Sequence, residues 1–100
     1  MNPLLRSIAG GKMKKITLDA RKMVTREKAH EYLAKKCEFP DYYGKNLDAT
    51  YDCLSSCGET VITVKNTGAL KKNLGDYGQA LLQVFIDAGK KNSKLIIEIM

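Results

Sequence analysis

The chain has 100 residues and a mass of 11.1 kDa, which is enough for one small domain with a single hydrophobic core. Hydrophobic residues make up 44% and charged residues 28%, and this ordinary balance excludes a disordered tail, a collagen-like fibre and a disulfide scaffold. The formal net charge of +6 leaves nucleic acid, anionic membranes and acidic proteins open as partners.

The first twelve residues carry little information about the fold. Their apolar clusters are too short for the core of a signal peptide, and no apolar run in the chain reaches the roughly 18 residues of a membrane span. We expect residues 1–12 to be a native extension or an expression-vector remnant, and residues 13–100 to form the single domain. Without Arg6 and Lys12, the net charge of +6 falls to +4 for that domain.

The first strand and the first helix are predicted from patterning. Polar and apolar residues alternate over 13–19, as in a strand with one buried face. Thr25 is a good helix cap, and the helical spacing that follows it continues to Cys37. Pro40 prevents the helix from extending further.

The second helix is predicted from a cap and an apolar stripe. Asn46 is a good N-cap for a helix over residues 47–57, and the loop before it, 41–45, has Gly44 as its flexible point. Gly58 ends this helix. The apolar stripe consists of Leu47, Thr50, Tyr51 and Leu54.

The remaining segments complete an α/β pattern. A β-branched run over 60–64 predicts a buried strand, a short helix over 69–74 is broken by Gly75, and the last strand covers 94–99. A longer helix lies between Gly75 and the last strand, and its core face consists of Ala80, Leu81, Val84, Phe85 and Ala88. Strands separated by helices imply a three-stranded parallel sheet packed with three to four helices.

The cysteines and the histidine favour a structural interpretation. Cys37, Cys53 and Cys57 are an odd number, which disfavours a secreted protein held by disulfides. Two cysteines four apart and one distant histidine fall short of a zinc set. We interpret the cysteines as reduced thiols of a cytoplasmic protein, with a metal or redox role as the alternative. We expect His30 on an exposed helix face, in a surface or capping role.

The segment 39–54 has an unusual charge pattern. Asp48 and Asp52 lie at i and i+4 on one helix face, where like charges destabilise a helix by about 0.2–0.5 kcal/mol. The helix N-terminus favours Asp48 but not Asp52, which lies beyond the first turn. From residue 41 to residue 58 there are three acids and one base, so an acidic spot lies within a basic chain. A ligand or partner outside the helix could use these carboxylates.

Several functions remain open for this acidic spot. The two carboxylates could be a solvated face paired with lysines, a catalytic acid/base pair, or a Mg²⁺ site. They could also enter a cationic groove made for nucleic acid, since arginine and lysine bind carboxylates and phosphates alike. Catalysis lacks a histidine or a nucleophile beside the acids, and Mg²⁺ lacks a third ligand. The flanking aromatic residues are typical of a protein-binding hot spot: Tyr42, Tyr43 and Tyr51.

A second charged segment lies in the N-terminal third of the chain. Residues 12–36 contain nine lysines and arginines against three acids. A solvated helix face explains this run, and contact with RNA is the alternative.

Three motifs resemble the barstar family of intracellular inhibitors of barnase-type secreted ribonucleases. They are Pro-Asp-Tyr-Tyr-Gly at 40–44, Asn-Leu-Asp-Ala at 46–49 and Asp-Cys-Leu at 52–54. Leu-Gln-Val-Phe at 82–85 is similar to the family as well, and the order of elements agrees over 13–100. The resemblance implies a barstar-like fold, no enzymatic activity, no cofactor and no metal.

The resemblance also implies which residues bind the partner. Asp48 and Asp52 match positions whose carboxylates enter the ribonuclease active site. Tyr42 matches an aromatic residue that packs on the partner at the same place. Gly44 and Asn46 match the loop and cap positions that hold the start of the inhibitory helix.

Some positions depart from the family pattern. Tyr51 stands where the best-known member has tryptophan, so an aromatic contact remains but with less area and a hydroxyl to satisfy. Cys57 stands where that member has an aromatic residue. Asp87 matches an acidic position that adds a peripheral ion pair, but Lys90 and Lys91 follow it.

The resemblance leads to one expected function and one alternative. We expect a cytoplasmic bacterial inhibitor, the immunity half of a toxin–immunity pair, that is a monomer when free. Its partner would be a basic secreted ribonuclease of barnase type, and neither a membrane nor a nucleic acid is expected as partner. The alternative is a barstar-fold module that binds another toxin, or RNA through its basic face.

Overall fold

The structure, a computed structural model, describes residues 13–100, and the expectation for residues 1–12 lies outside them. One parallel sheet has the strand order β1-β2-β3, with β1 at Lys14–Asp19, β2 at Thr60–Lys65 and β3 at Leu95–Ile99. The helices are α1 (Arg26–Cys37), α2 (Leu47–Ser55), α3 (Gly68–Leu74) and α4 (Asp76–Lys91), and a 3₁₀ turn at Ala20–Lys22 follows β1. The expected single α/β domain with a three-stranded parallel sheet is confirmed.

The core lies between one face of the sheet and the helices. Ile16, Ile62 and Ile97 are register partners and therefore share that face. A Cβ added at Gly89 of α4 would lie 3.0 Å from Ile97 Cγ1, so α4 packs closely on β3. The largest fully buried side chains include Leu18, Met23, Leu33, Leu54, Ile62, Leu70, Leu81 and Phe85.

The strand β2 is less buried than the sequence predicted. In β2, buried residues alternate with half-buried ones, so the β-branched run is not buried throughout. In β1, as predicted, the exposed Lys15 and Thr17 alternate with the buried Ile16 and Leu18. The prediction for β2 was wrong because β-branched residues also suit the half-buried face of a pleated sheet. Their presence does not by itself indicate that both faces of a strand are covered.

The ends of α1 follow the predicted signals. Thr25 Oγ1 accepts a hydrogen bond from Lys28 N at 3.1 Å, which confirms the cap. The helix ends at Cys37, and its C-cap Glu38, two residues before Pro40, has a left-handed φ of 54°. The predicted break between α3 and α4 is confirmed at Gly75, which has a φ of 60°. No helix within residues 13–100 has both the length and the apolarity needed to cross a bilayer.

Candidate functional site

The loop 40–46 leads into α2, and Asn46 begins the helix. Its Oδ1 accepts a hydrogen bond from Ala49 N at 2.7 Å, which confirms the cap, and its Nδ2 donates to Gly44 O at 3.4 Å. The left-handed residue of this loop is Lys45, with a φ of 54°. The turn is thus made at Lys45 rather than at Gly44, where we expected the loop to need its flexibility.

The two carboxylates of α2 are exposed. Asp48 lies in the first turn of the helix and Asp52 one turn later. In residues 13–100 the ion pairs are Lys14 with Glu38 and Arg21 with Asp19, so neither α2 carboxylate has a described lysine or arginine within 4.0 Å. A helix face neutralised by lysines therefore does not describe this site.

The three tyrosines of the segment have different environments. Tyr42 is 86% exposed, more than any other large hydrophobic residue in the described part of the chain. Tyr51 is half-buried and packs against the core. Tyr43 is buried, and its ring packs against Phe39 with the centroids 4.7 Å apart. Tyr42 is thus the residue with an aromatic face available to a partner.

A chain of hydrogen bonds, buried at its centre and partly buried at both ends, ties this segment to α1 and α4. Its four links are Tyr77 Oη to His30 Nε2 at 2.6 Å, His30 Nδ1 to Tyr43 Oη at 2.6 Å, Tyr43 Oη to Thr50 Oγ1 at 2.6 Å and Thr50 Oγ1 to Asn46 O at 2.8 Å. We call these four side chains, Tyr77, His30, Tyr43 and Thr50, the relay. It joins the N-terminal end of α4, the middle of α1, the loop and the first turn of α2.

The placement of His30 differs from our expectation. We expected an exposed helix face, but the residue is 2% exposed. The imidazole can be buried because tyrosine hydroxyls satisfy both of its ring nitrogens. Burial lowers the pKa of His30 from 6.5, and burial also raises the pKa of Tyr43 to about 12. Both groups are therefore neutral at pH 7.

The C-terminal end of α2 is held by a residue that the sequence analysis did not single out. Asn92, just after α4, donates from Nδ2 to Leu54 O at 3.0 Å and to Cys57 O at 2.9 Å. The helix ends at Ser55, not at Cys57, and Gly58 has no positive φ. The end of α2 is thus set by a side chain from another element rather than by a glycine cap. No local sequence pattern indicates that Asn92 binds these two carbonyls, because they lie 38 and 35 residues earlier in the chain.

The chain is similar in sequence to known proteins. A family model described as "Barstar (barnase inhibitor)" matches residues 13–99. The chain belongs to the barstar family. It is also 40% identical over 91 residues to a Bacillus subtilis (strain 168) protein named "Putative ribonuclease inhibitor YrdF", with 86% of this chain and 100% of that protein covered. The family is one of inhibitors, and this confirms the expectation of a ribonuclease-inhibitor-like role rather than an enzyme.

Within this barstar-family domain, six of the seven expected partner-binding residues lie on one continuous segment. They are Tyr42, Gly44, Asn46, Asp48, Tyr51 and Asp52. Asp87 belongs to α4, which packs against α2. It is exposed, and its Oδ1 accepts a hydrogen bond from Gln83 Nε2 at 2.9 Å.

The three cysteines line one groove beside α2. The groove has a volume of about 620 Å³, and Tyr42 also contributes to its wall. All three thiols are free, and burial raises the pKa of Cys37 to about 12 and also raises the pKa of Cys53. No three metal-ligating side chains within residues 13–100 are arranged to hold a metal ion.

Proposed function

We propose that this chain inhibits a ribonuclease of barnase type by placing the carboxylates of Asp48 and Asp52 in the cationic active site of the enzyme. The observation that carries the proposal is that two exposed carboxylates without an ion-pair partner in the described chain lie on the helix that follows the exposed Tyr42 in the sequence. Arginine and lysine side chains that bind phosphate also bind carboxylate through charge-assisted hydrogen bonds. The helix would occupy the place of the RNA backbone and block it.

The neighbouring residues support this role in distinct ways. Tyr42 would pack its ring on the partner, because an exposed aromatic side chain brings large contact area at low entropic cost. Asn46 and Gly44 would fix the start of α2. Tyr51 would contact the ribonuclease with the exposed part of its ring, at the edge of the interface. Asp87 would form a peripheral ion pair with the ribonuclease.

The charge of the chain bears on how fast the complex would form. A net charge of +6 gives little long-range attraction towards a basic ribonuclease. Affinity would therefore depend on the close contacts of α2 and on slow dissociation. In this proposal the partner is a basic secreted ribonuclease, and the chain is a cytoplasmic monomer that protects its bacterial host as the immunity half of a toxin–immunity pair.

Calorimetric titration against barnase, and against ribonucleases encoded next to this chain, tests the proposal. We expect Asp52→Ala to raise the Kd by at least about tenfold, since the change removes a charged hot-spot residue. Glu98→Gln is the matched control, because it removes one exposed carboxylate from β3. The control should leave the Kd unchanged. Tight binding that Asp52→Ala does not weaken would refute the role given to α2.

The alternative, an RNA-binding module, has a weaker basis in the structure. In the basic segment, Lys14 Nζ is 2.7 Å from Glu38 Oε1 and Arg21 Nη2 is 2.8 Å from Asp19 Oδ2. Two of its cations are therefore already paired. A titration with RNA at several salt concentrations decides the matter, because phosphate contacts give a steep salt dependence. Tight, salt-dependent RNA binding would favour the alternative.

A further inference from the structure

We propose that His30 is a positioning residue of the binding surface, and that its neutral Nδ1–H form is required to hold the loop 40–46 and the first turn of α2 in place. The consequence for partner binding rests on the proposed function. The consequence for the free protein does not, so the two can be tested separately.

The first step of the argument is the direction of the hydrogen bonds. Asn46 O is a carbonyl oxygen and can only accept, so the Thr50 hydroxyl donates to it. Thr50 Oγ1 then accepts from the Tyr43 hydroxyl. Because the single proton of Tyr43 is used in this way, Tyr43 Oη must accept from His30 Nδ1.

The same logic fixes the other side of the imidazole. A neutral imidazole carries one proton, which is on Nδ1, so Nε2 accepts from the Tyr77 hydroxyl. All donors of the relay therefore point from α4 towards Asn46 O. The relay holds one tautomer of His30. His30, Tyr43 and Thr50 each have one donor and one acceptor in use, and Tyr77 donates at the start of the relay.

The second step is what a second proton would do to the relay. In the imidazolium both nitrogens donate, so the Tyr77 hydroxyl could stay bonded to Nε2 only by turning its own proton away and accepting. The groups that face His30 offer no negative charge. The loop presents Tyr43, α2 presents Thr50 behind it, and α4 presents Tyr77, whose ring centroid lies 4.2 Å from the Arg26 guanidinium of α1. A buried cation without a counter-ion is costly, and the imidazolium would be stabilised by moving towards water.

Moving His30 would change the binding surface. The imidazole supplies the donor to Tyr43, whose ring and hydroxyl lie under the loop, and Tyr42 is the next residue along the chain. Tyr43 in turn donates to the first turn of α2, where Asp48 is exposed. A relaxed relay therefore releases the aromatic and the acidic parts of the surface together.

The sign of the pH effect follows from burial. Burial lowers the pKa of His30, so the unfolded chain binds a proton in a pH range where the folded protein does not. The contribution of His30 to stability is present in full above about pH 6.5 and is lost as the pH falls through the lowered pKa of the folded state. Positioning of the loop should fail in the same range, below about pH 6.5.

A titration of the free protein tests the positioning role without any partner. NMR spectra recorded from about pH 7.5 to pH 5 would follow the His30 ring protons and the backbone amides of Tyr43 and Ala49. We expect the ring and both amides to shift with one common midpoint below about pH 6.5. Amides that stay in place while the ring titrates, or a ring that stays neutral until the protein unfolds, would overturn the proposal.

Binding to barnase tests the consequence for the partner. His30→Gln keeps a donor and an acceptor but cannot titrate in this range. The titration of the enzyme's own groups affects the Kd of both proteins equally, so a difference between the two pH profiles comes from His30. Relative to this variant, we expect the wild-type Kd to rise by about tenfold between about pH 7.5 and pH 5. Parallel profiles for the two proteins would overturn the proposal.

A matched control separates positioning from general loss of stability. Tyr32→Phe removes a tyrosine hydroxyl on α1, the helix that carries His30; this hydroxyl accepts from Asp19 N at 2.9 Å and lies outside the relay. Its pH profile should follow that of the wild type. If barnase binds none of these proteins at any pH, the proposed function fails for that partner, and the titration of the free protein still decides the role of His30.

Discussion

The hydroxyls of Tyr43 and Thr50 lie 2.6 Å apart, and this contact ties the loop 40–46 to the first turn of α2. Tyr43→Phe removes the donor to Thr50 and the acceptor of His30 Nδ1, both in buried surroundings. We expect the free energy of unfolding to fall by about 1–3 kcal/mol. Urea unfolding at neutral pH measures this loss.

The neighbouring tyrosine is the control for that prediction. Tyr42 is 86% exposed, so its hydroxyl is open to water. Tyr42→Phe should therefore change the free energy of unfolding by no more than about 0.5 kcal/mol. Equal losses in the two variants would mean that the relay does not contribute to stability.

The Asn46 cap allows a second prediction. Asn46→Ala removes the acceptor of the Ala49 amide and should cost about 0.5–2 kcal/mol of stability. Asn46→Asp keeps a capping oxygen and adds a charge that the helix N-terminus favours, so its stability should stay close to that of the wild type. Thermal unfolding followed by circular dichroism would compare the stability of the two variants. If Asn46→Asp were as unstable as Asn46→Ala, the capping role of Asn46 would be contradicted.

The cysteines should differ in their reactivity. Cys37 is buried and its pKa is raised to about 12. A reagent therefore reaches the sulfur poorly, and little of the thiol is present as the reactive thiolate at neutral pH. Iodoacetamide followed by mass spectrometry should label Cys37 more slowly than the half-buried Cys53 and Cys57. In denaturant all three should react at similar rates. Native labelling of Cys37 as fast as that of Cys57 would show that the groove opens to the core.

Gly78 allows no side chain. A Cβ at this position would lie 2.2 Å from Leu70 O, a backbone atom of α3 that cannot turn aside. We expect Gly78→Ala to destabilise the fold by about 1–3 kcal/mol or more, as measured by urea unfolding. Gly58→Ala is the control, because a Cβ there meets no atom within 4 Å. Similar stability of the two variants would rule out a close approach of α3 and α4.

Local signals were enough to predict most of the elements. The alternation in β1, the Thr25 and Asn46 caps and the Gly75 break each depend on residues close in the chain, and the structure has all of them. The family motif likewise lies within one segment. The position of α2 and the exposure of its two carboxylates could therefore be predicted from local residues.

Long-range contacts explain what the sequence did not predict. His30 was misplaced because its hydroxyl partners, Tyr43 and Tyr77, are 13 and 47 residues away, and a lone histidine on a helix carries no mark of such partners. The end of α2 was misplaced by two residues because Asn92 binds carbonyls 38 and 35 residues earlier. The turn at Lys45 was assigned to Gly44 because glycine is the usual residue at positive φ.

The Asn92 amide has a consequence for any attempt to transplant the surface. The helix α2 has 9 residues, too few to be stable alone in water, and Asn92 and the relay hold its two ends from elsewhere in the fold. A synthetic peptide of residues 40–57 would have to become ordered as it bound, at about 1–2 kcal/mol for each backbone residue fixed. The folded domain has already met that entropic cost. Its surface can dock as a rigid body, whereas the same sequence, cut out of the domain, would be a poor ligand.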